Sequence, residues 1–388
     1  MNRLAILALA AATLCGLPAA AQTGVETAAV AAAAGTATAA AAPVLPPLDL
    51  DATPMALGGK LANPLVWANW KTRFVTEQGR VVDTGNGMIS HSEGQGYGML
   101  LAVAANDRPA FERIWAWTRA NLLVRDDELI AWRFDPDKRP GVADMNNASD
   151  GDILTAWALT EAAEFWADAS YRVAGRRIAV EVARKVVIYK TAHGSLILPG
   201  ATGYSAREQQ GAPVLNLSYY IYPAFARLKI VAPEIDWTGM SDSGLDLLKS
   251  VKTGAAGLPP EWVEVRGAGV APAKGFGATF GYNAIRIPLY MAWAGVGERE
   301  HYAPFAALWG AKGRGQMAVI DTATGAAVAP MAEEGYRSIM ALTACVTAGT
   351  HFPAETMNTA TNENYYPATL RAFVLIAARM RYPSCVDN

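Results

Sequence analysis

The sequence predicts an all-α fold, or nearly so, large and built round one core. Three observations predict it. Apolar residues recur at helical steps of three and four through most of the chain. Strand-type alternation is short and rare, with Glu261–Arg266 (EWVEVR) its best case. One helical stretch is apolar on every side, as suits a helix buried among other helices.

The elements follow in order. Met1–Gln22 has a basic start at Arg3, an apolar run Ala5–Leu17 too short to span a bilayer comfortably, and small residues at Ala19-Ala20-Ala21. Residues 1–21 therefore read as a signal peptide, with a short membrane anchor as the competing reading. Residues 22–47 are low-complexity Ala, Thr and Pro. Gly35, Thr36 and Thr38, then Pro43, Pro46 and Pro47, favour a flexible tether over a helix. Residues 48–388 are expected to form a single catalytic domain. No later stretch reaches the roughly 18 apolar residues of a membrane span, so a periplasmic or secreted protein is expected once the signal is removed. Cys15 would leave with the signal. Cys345 and Cys385 then either pair or remain two thiols.

In the body, Pro109 opens a helix whose Phe111, Trp115, Thr118 and Leu122 share one face. A helix from about Asp152 to Trp166, with Ser149 and Asp150 as capping candidates, carries Ile153, Leu154, Trp157, Leu159 and Phe165 almost all the way round. Helical patterns also fit Ala174–Tyr189, Tyr220–Lys229, Ile285–Trp293, Tyr302–Ala311, Tyr336–Thr347 and Ala368–Arg381. Helix hairpins of this number can close into a ring. The inner helices would then run one way, gathering their N-termini and positive dipole ends at one mouth.

Composition excludes several functions. With 33 Lys and Arg against 35 Asp and Glu, the chain lacks the basic stripe of a nucleic-acid binder. Hydrophobic residues at 52% and charged ones at 18% exclude a disordered chain. His91, His193, His301 and His351 are scattered, so a catalytic zinc has no ligand motif. Phosphate-loop and serine-elbow motifs are missing, and Gly275, Gly277 and Gly281 have the wrong spacing for a dinucleotide loop. Neither cofactor nor metal is expected.

What remains is carboxylates among aromatic rings and amides. Glu93 opens a helix inside Ser92-Glu93-Gly94-Gln95-Gly96-Tyr97-Gly98-Met99, where three glycines leave room for a ligand to approach the backbone. Asp150 and Asp152 open another; simple capping is the alternative for both segments. Eleven tryptophans, Trp132 among them, and fourteen tyrosines offer faces for sugar rings. Acids, aromatics, an export signal and no cofactor motif point to glycoside hydrolysis.

The run from Ser92 to Met99, then Ala105-Asn106-Asp107-Arg108, then Ala148-Ser149-Asp150-Gly151-Asp152 with Trp157 and Glu161-Ala162 downstream, resembles glycoside hydrolase family 8. It looks most like the endoglucanases associated with bacterial cellulose synthesis. Asn216-Leu217-Ser218-Tyr219, Leu258-Pro259-Pro260-Glu261-Trp262 and Tyr282-Asn283-Ala284-Ile285-Arg286 extend the resemblance over about residues 65 to 385. It implies an (α/α)6 barrel, a toroid with few short strands in its loops, and inverting cleavage of a β-1,4-glucan chain. The cellulose-synthesis machinery is an implied partner. By position, Glu93 resembles the general acid and Asp150 the aspartate that holds the distorted sugar. Tyr219, Tyr282, Asn283 and Arg286 match positions lining the site, and Trp132 joins them as a sugar-binding candidate.

One position departs. Many family members carry an aspartate general base where this chain has Asn283, and an amide cannot accept a proton from water at neutral pH. Glu264, Glu333 and Glu334 are candidate substitutes. The competing functions are a chitosanase, xylanase or mixed-linkage glucanase of the same family, or a weakly active glucan-binding protein.

Overall fold

The computed structural model describes residues 55–251, 253–310, 315, 317–358 and 362–386. The expected signal peptide and tether lie outside the described residues. Helices run in the order α1 (Pro64–Phe74), α2 (Ser92–Ala104), α3 (Arg108–Asn121), α4 (Ser149–Phe165), α5 (Ala169–Lys185) and α6 (Tyr222–Leu228). They continue as α7 (Trp237–Ser250), α8 (Arg286–Ala294), α9 (Arg299–Trp309), α10 (Glu334–Ala348), α11 (Ala354–Met357) and α12 (Tyr365–Arg381).

Burial alternates along this series. α2 buries twelve of its thirteen residues and α4 fifteen of seventeen, whereas α3 between them buries five of fourteen. The even-numbered helices form an inner ring and the odd-numbered ones lie outside, their polar faces to solvent. Within the ring α2 packs on α4, α4 on α6 and α6 on α8, which meets α10 and α12. Tyr97 of α2 meets Phe373 of α12 edge to face at 5.0 Å and closes it. Six helix pairs in this arrangement make an (α/α)6 barrel. The strands among the described residues are short antiparallel pairs and triplets in the loops, the longest running Val187–Thr191 and Trp262–Arg266.

Differences from the sequence pattern have local causes. Tyr189, read as the end of a helix, lies in a strand, because the chain leaves α5 at Lys185 to pair with Gly194–Ile197. α1, α7 and α11 escape the periodicity; α1 buries three residues and α11 one, while the buried side of α7 includes Ser241, Ser243 and Gly244. α4 begins at Ser149, earlier than expected. Neither Ser149 nor Asp150 caps it from its N-cap position, which is Ala148. The Ser149 hydroxyl instead donates to the Leu198 carbonyl at 2.7 Å, tying the helix start to the next loop. Cys345 of α10 and Cys385 are disulfide-bonded, with Cα atoms 6.1 Å apart.

The glycines around Glu93 serve packing, not ligand access. A Cβ on Gly96 would lie 2.7 Å from the Leu154 Cβ, and one on Gly98 2.8 Å from Val81 Cγ2. Across the interface, a Cβ on Gly151 would fall 2.0 Å from the Ser92 hydroxyl oxygen. Small residues on both sides let the first turns of α2 and α4 touch, which brings Glu93 and Asp150 to one place. Gly151→Ala is accordingly expected to cost about 1–3 kcal/mol by overpacking and to lower the thermal midpoint by several degrees. Thermal unfolding followed by circular dichroism checks this; an unchanged midpoint would mean the two turns are not in contact.

Candidate active site

The mouth of the barrel where the inner helices begin is built round Arg286, the first residue of α8, which is 1% exposed. Its Nη1 lies 2.9 Å from Glu93 Oε2 and 3.1 Å from Asp150 Oδ2, and donates to the Tyr97 hydroxyl at 3.2 Å. Its Nη2 donates to the Ser218 hydroxyl at 2.9 Å and to the Asn283 side-chain oxygen at 2.7 Å. The Tyr219 ring lies beneath the guanidinium, centroid 5.7 Å away. Such a buried cation requires this shell, since an uncompensated charge would cost several kcal/mol.

Each carboxylate is held by its helix. Glu93 stands in the first turn of α2, capped by His91, whose Nδ1 accepts the Gly94 N–H at 3.0 Å. That bond places the ring proton on Nε2, which faces Asp83 Oδ2 at 3.2 Å. Burial lowers the His91 pKa, but the Asp83 hydrogen bond and the charges of Glu93, Asp83 and Asp150 outweigh it and leave it raised. Asp150 accepts the Gly151 N–H at 2.8 Å. Its place at a helix start would favour the charged form, yet burial, then the charge of Glu93, pushes it up to about 7 against the pull of Arg286. Asp152 is likewise pushed up to about 7 by burial. Its oxygens accept the Ile130 N–H at 2.8 Å and the Asn147 amide at 2.7 Å, so it braces the neighbouring loop.

Aromatic rings line the approach. Tyr204 stacks on Trp262 with centroids 6.0 Å apart, and Tyr219 and Phe276 flank the same indole. Tyr282 is exposed, its ring against Tyr336, and its carbonyl accepts the Tyr366 hydroxyl at 2.7 Å. Trp132 is half-buried and donates from its indole to Asp144 at 2.8 Å, while its carbonyl accepts the Ser92 N–H beside Glu93.

The family model for "Glycosyl hydrolases family 8" matches residues 53–380. The chain belongs to this family. It is 39% identical over 228 residues to an endoglucanase of Cellulomonas uda, a match covering 58% of this chain and 62% of that one, under two thirds of the relative's length. A probable endoglucanase of Novacetimonas hansenii is 35% identical over 314 residues, covering 80% of this chain and 89% of the relative. Among solved structures, the endo-beta-1,4-glucanase of Acetobacter xylinum superposes with a TM-score of 0.74 at 33% identity, covering 84% of this chain and 99% of that one.

For this family 8 chain, the structure brings Glu93, Asp150, Tyr219, Asn283 and Arg286 together, with Tyr282 at the rim and Trp132 beyond Ser92. The candidate bases have hydrogen-bond partners of their own. Glu264 meets Arg266 at 3.0 Å, Glu333 accepts the Asn364 N–H at 2.8 Å, and Glu334 accepts the Thr356 hydroxyl at 3.3 Å. Sequence reasoning passed over Tyr97, Ser218, Trp262, Glu261 and the Asp83–His91 pair. Tyr97, Ser218, Glu261 and Trp262 stood inside the quoted motifs; no local signal marks the Asp83–His91 pair.

The raised Asp150 carries a stability consequence. Its folded pKa exceeds the ordinary carboxylate value, so the folded state holds the proton more tightly, and stability falls as pH rises from about 4 to about 7. Asp150→Asn lacks this term. Its unfolding midpoint relative to the parent is expected to rise across that window, by the equivalent of roughly 1–4 kcal/mol. Parallel melts at pH 4, 5.5 and 7 check it, and a gap independent of pH would contradict the assignment.

Proposed function

We propose that this protein is an exported endo-β-1,4-glucanase acting on cellulose-type glucan with inversion, in the periplasm or outside the cell. Its link to bacterial cellulose synthesis rests on the motif resemblance. The observation that carries the catalytic reading is the pair Glu93 and Asp150, held on one nitrogen of a buried arginine at the mouth where the inner helices begin. The stacked Tyr204 and Trp262 support a sugar substrate, and the Cys345–Cys385 bond supports an oxidising compartment.

Glu93 donates a proton to the leaving glycosidic oxygen. Asp150 binds the ring being cleaved and stabilises its developing positive charge. Arg286 holds both carboxylates and Tyr219 in register. Since both bonded oxygens sit about 3 Å from one nitrogen, they lie within about 6 Å of each other, short of the roughly 6.5–9.5 Å that leaves room for an attacking water. Asp150 is thus a poor base for inversion. The same spacing favours a second reading, in which Asp150 attacks the sugar directly and the product retains its configuration. Proton NMR of the first product separates the two: an α-anomer supports inversion, a β-anomer retention.

Glu93→Gln is expected to lower kcat on carboxymethyl-cellulose by about 10²–10⁴-fold while leaving substrate binding near that of the parent. Near-parental turnover in the folded variant would remove Glu93 from the chemistry. Parallel assays on chitosan, xylan and mixed-linkage glucan test the substrate; faster turnover on any of these would replace cellulose-type glucan as the substrate. No turnover on any of them, with glucan still bound, would leave a glucan-binding protein.

A further inference from the structure

We propose that Glu261 is the general base of this chain, acting beside Asn283. The assignment rests on the glycoside-hydrolase reading above. Glu261 stands at the entrance to the strand Trp262–Arg266, and its own N–H donates to the Thr279 carbonyl at 2.8 Å. That pairing sets it against the strand Thr279–Phe280, just ahead of the turn that carries Tyr282 and Asn283. Its Oε1 accepts the Asn283 backbone N–H at 2.8 Å. A Cβ on Gly281 would lie 3.1 Å from that oxygen, so the carboxylate rests directly on the turn.

The guanidinium of Arg286 divides the site. One terminal nitrogen holds Glu93 and Asp150; the other holds the side chain of Asn283, the residue whose backbone N–H Glu261 accepts. Single displacement needs this separation, an acid on one face of the sugar and a base on the other. Asp150 is on the acid's side. Glu264, Glu333 and Glu334 are hydrogen-bonded to Arg266, Asn364 and Thr356. Glu261 is half-buried, which leaves it within reach of water. Burial raises its pKa, against the hydrogen bonds from Asn283 and the charge of Arg286, and so strengthens it as a base.

The step balances. A water beside Asn283 gives one proton to the Glu261 carboxylate as its oxygen bonds to the anomeric carbon. The bond from that carbon to the leaving oxygen breaks, and Glu93 supplies that oxygen with its proton. Glu261 ends protonated and Glu93 ionised, and exchange with solvent restores both.

The test uses the whole enzyme on carboxymethyl-cellulose. Glu261→Gln keeps an oxygen for the Asn283 N–H, so a bracing role would survive it. A base role predicts a fall in kcat of about 10²–10⁴-fold with KM changed little, and loss of the acid limb of the pH–kcat profile. Adding Asn283→Asp to that variant is expected to return about tenfold or more, by placing a carboxylate on the same turn. Azide is expected to raise the rate of Glu261→Ala. A kcat for Glu261→Gln close to the parent's overturns the proposal. Should the Gln variant fail to fold, Glu261→Asp keeps the charge but withdraws it by one methylene; about a tenfold loss is expected, and undiminished turnover overturns the proposal. The parent, assayed alongside, keeps the two readings apart. An inactive parent removes the glucanase reading, whereas an active parent matched by Glu261→Gln removes only this assignment.

Discussion

A single buried cation organises the mouth of this barrel. Arg286 has no solvent to neutralise it, and its partners come from four places in the chain: α2, α4, the turn that carries Ser218 and the ring of Tyr219, and the turn at Asn283. Removing any one leaves a donor or a charge without a partner in a low-dielectric site. The guanidinium fork converts that electrostatic need into geometry, since its nitrogens accept partners only in fixed directions. Two carboxylates against one cation leave an excess negative charge. Together with burial it explains why Asp150 is raised although it opens a helix.

The scaffold answers this demand by letting the inner helices start close together. Gly96 and Gly151 allow contact between α2 and α4 that any side chain would block. Below the mouth, Glu161 of α4 receives the Trp157 indole at 2.9 Å and pairs with Arg227 of α6. A second buried ion pair thus binds neighbouring members of the ring. Outer helices carry less of this burden and show it in sequence: α3 presents Phe111, Ile114 and Trp115 inward and leaves its other face polar.

This division explains what could be read from the sequence. The all-round apolar pattern of α4 identified an inner helix because its surroundings are apolar in every direction. α7 was missed because Ser241, Ser243 and Gly244 lie on its buried side, and small polar residues give no periodic signal. Glu93, Asp150 and Arg286 were legible through their motifs. Their meeting on one guanidinium was not, since it joins residues 136 positions apart. The glycines near Glu93 misled for a related reason: close helix packing and ligand access both call for a missing side chain, and only the facing Leu154 and Ser92 distinguish them. Glu261 stood in a motif, but its contact with Asn283 was not legible, because it depends on a strand pairing in the loops.

The amide at position 283 also has an electrostatic logic. Its side-chain oxygen accepts from Arg286 at 2.7 Å, so an aspartate there would set a third negative charge on a guanidinium already shared by two. Like charges crowded at one site raise one another's pKa and weaken the hold of the cation on each. An amide keeps the hydrogen bond without the charge, leaving Arg286 to Glu93 and Asp150. The carboxylate that accepts its backbone N–H, on Glu261, is one hydrogen-bonding residue farther from the acid pair. Moving negative charge outward by that step lowers its repulsion with Asp150, which must carry its own charge when the sugar becomes cationic.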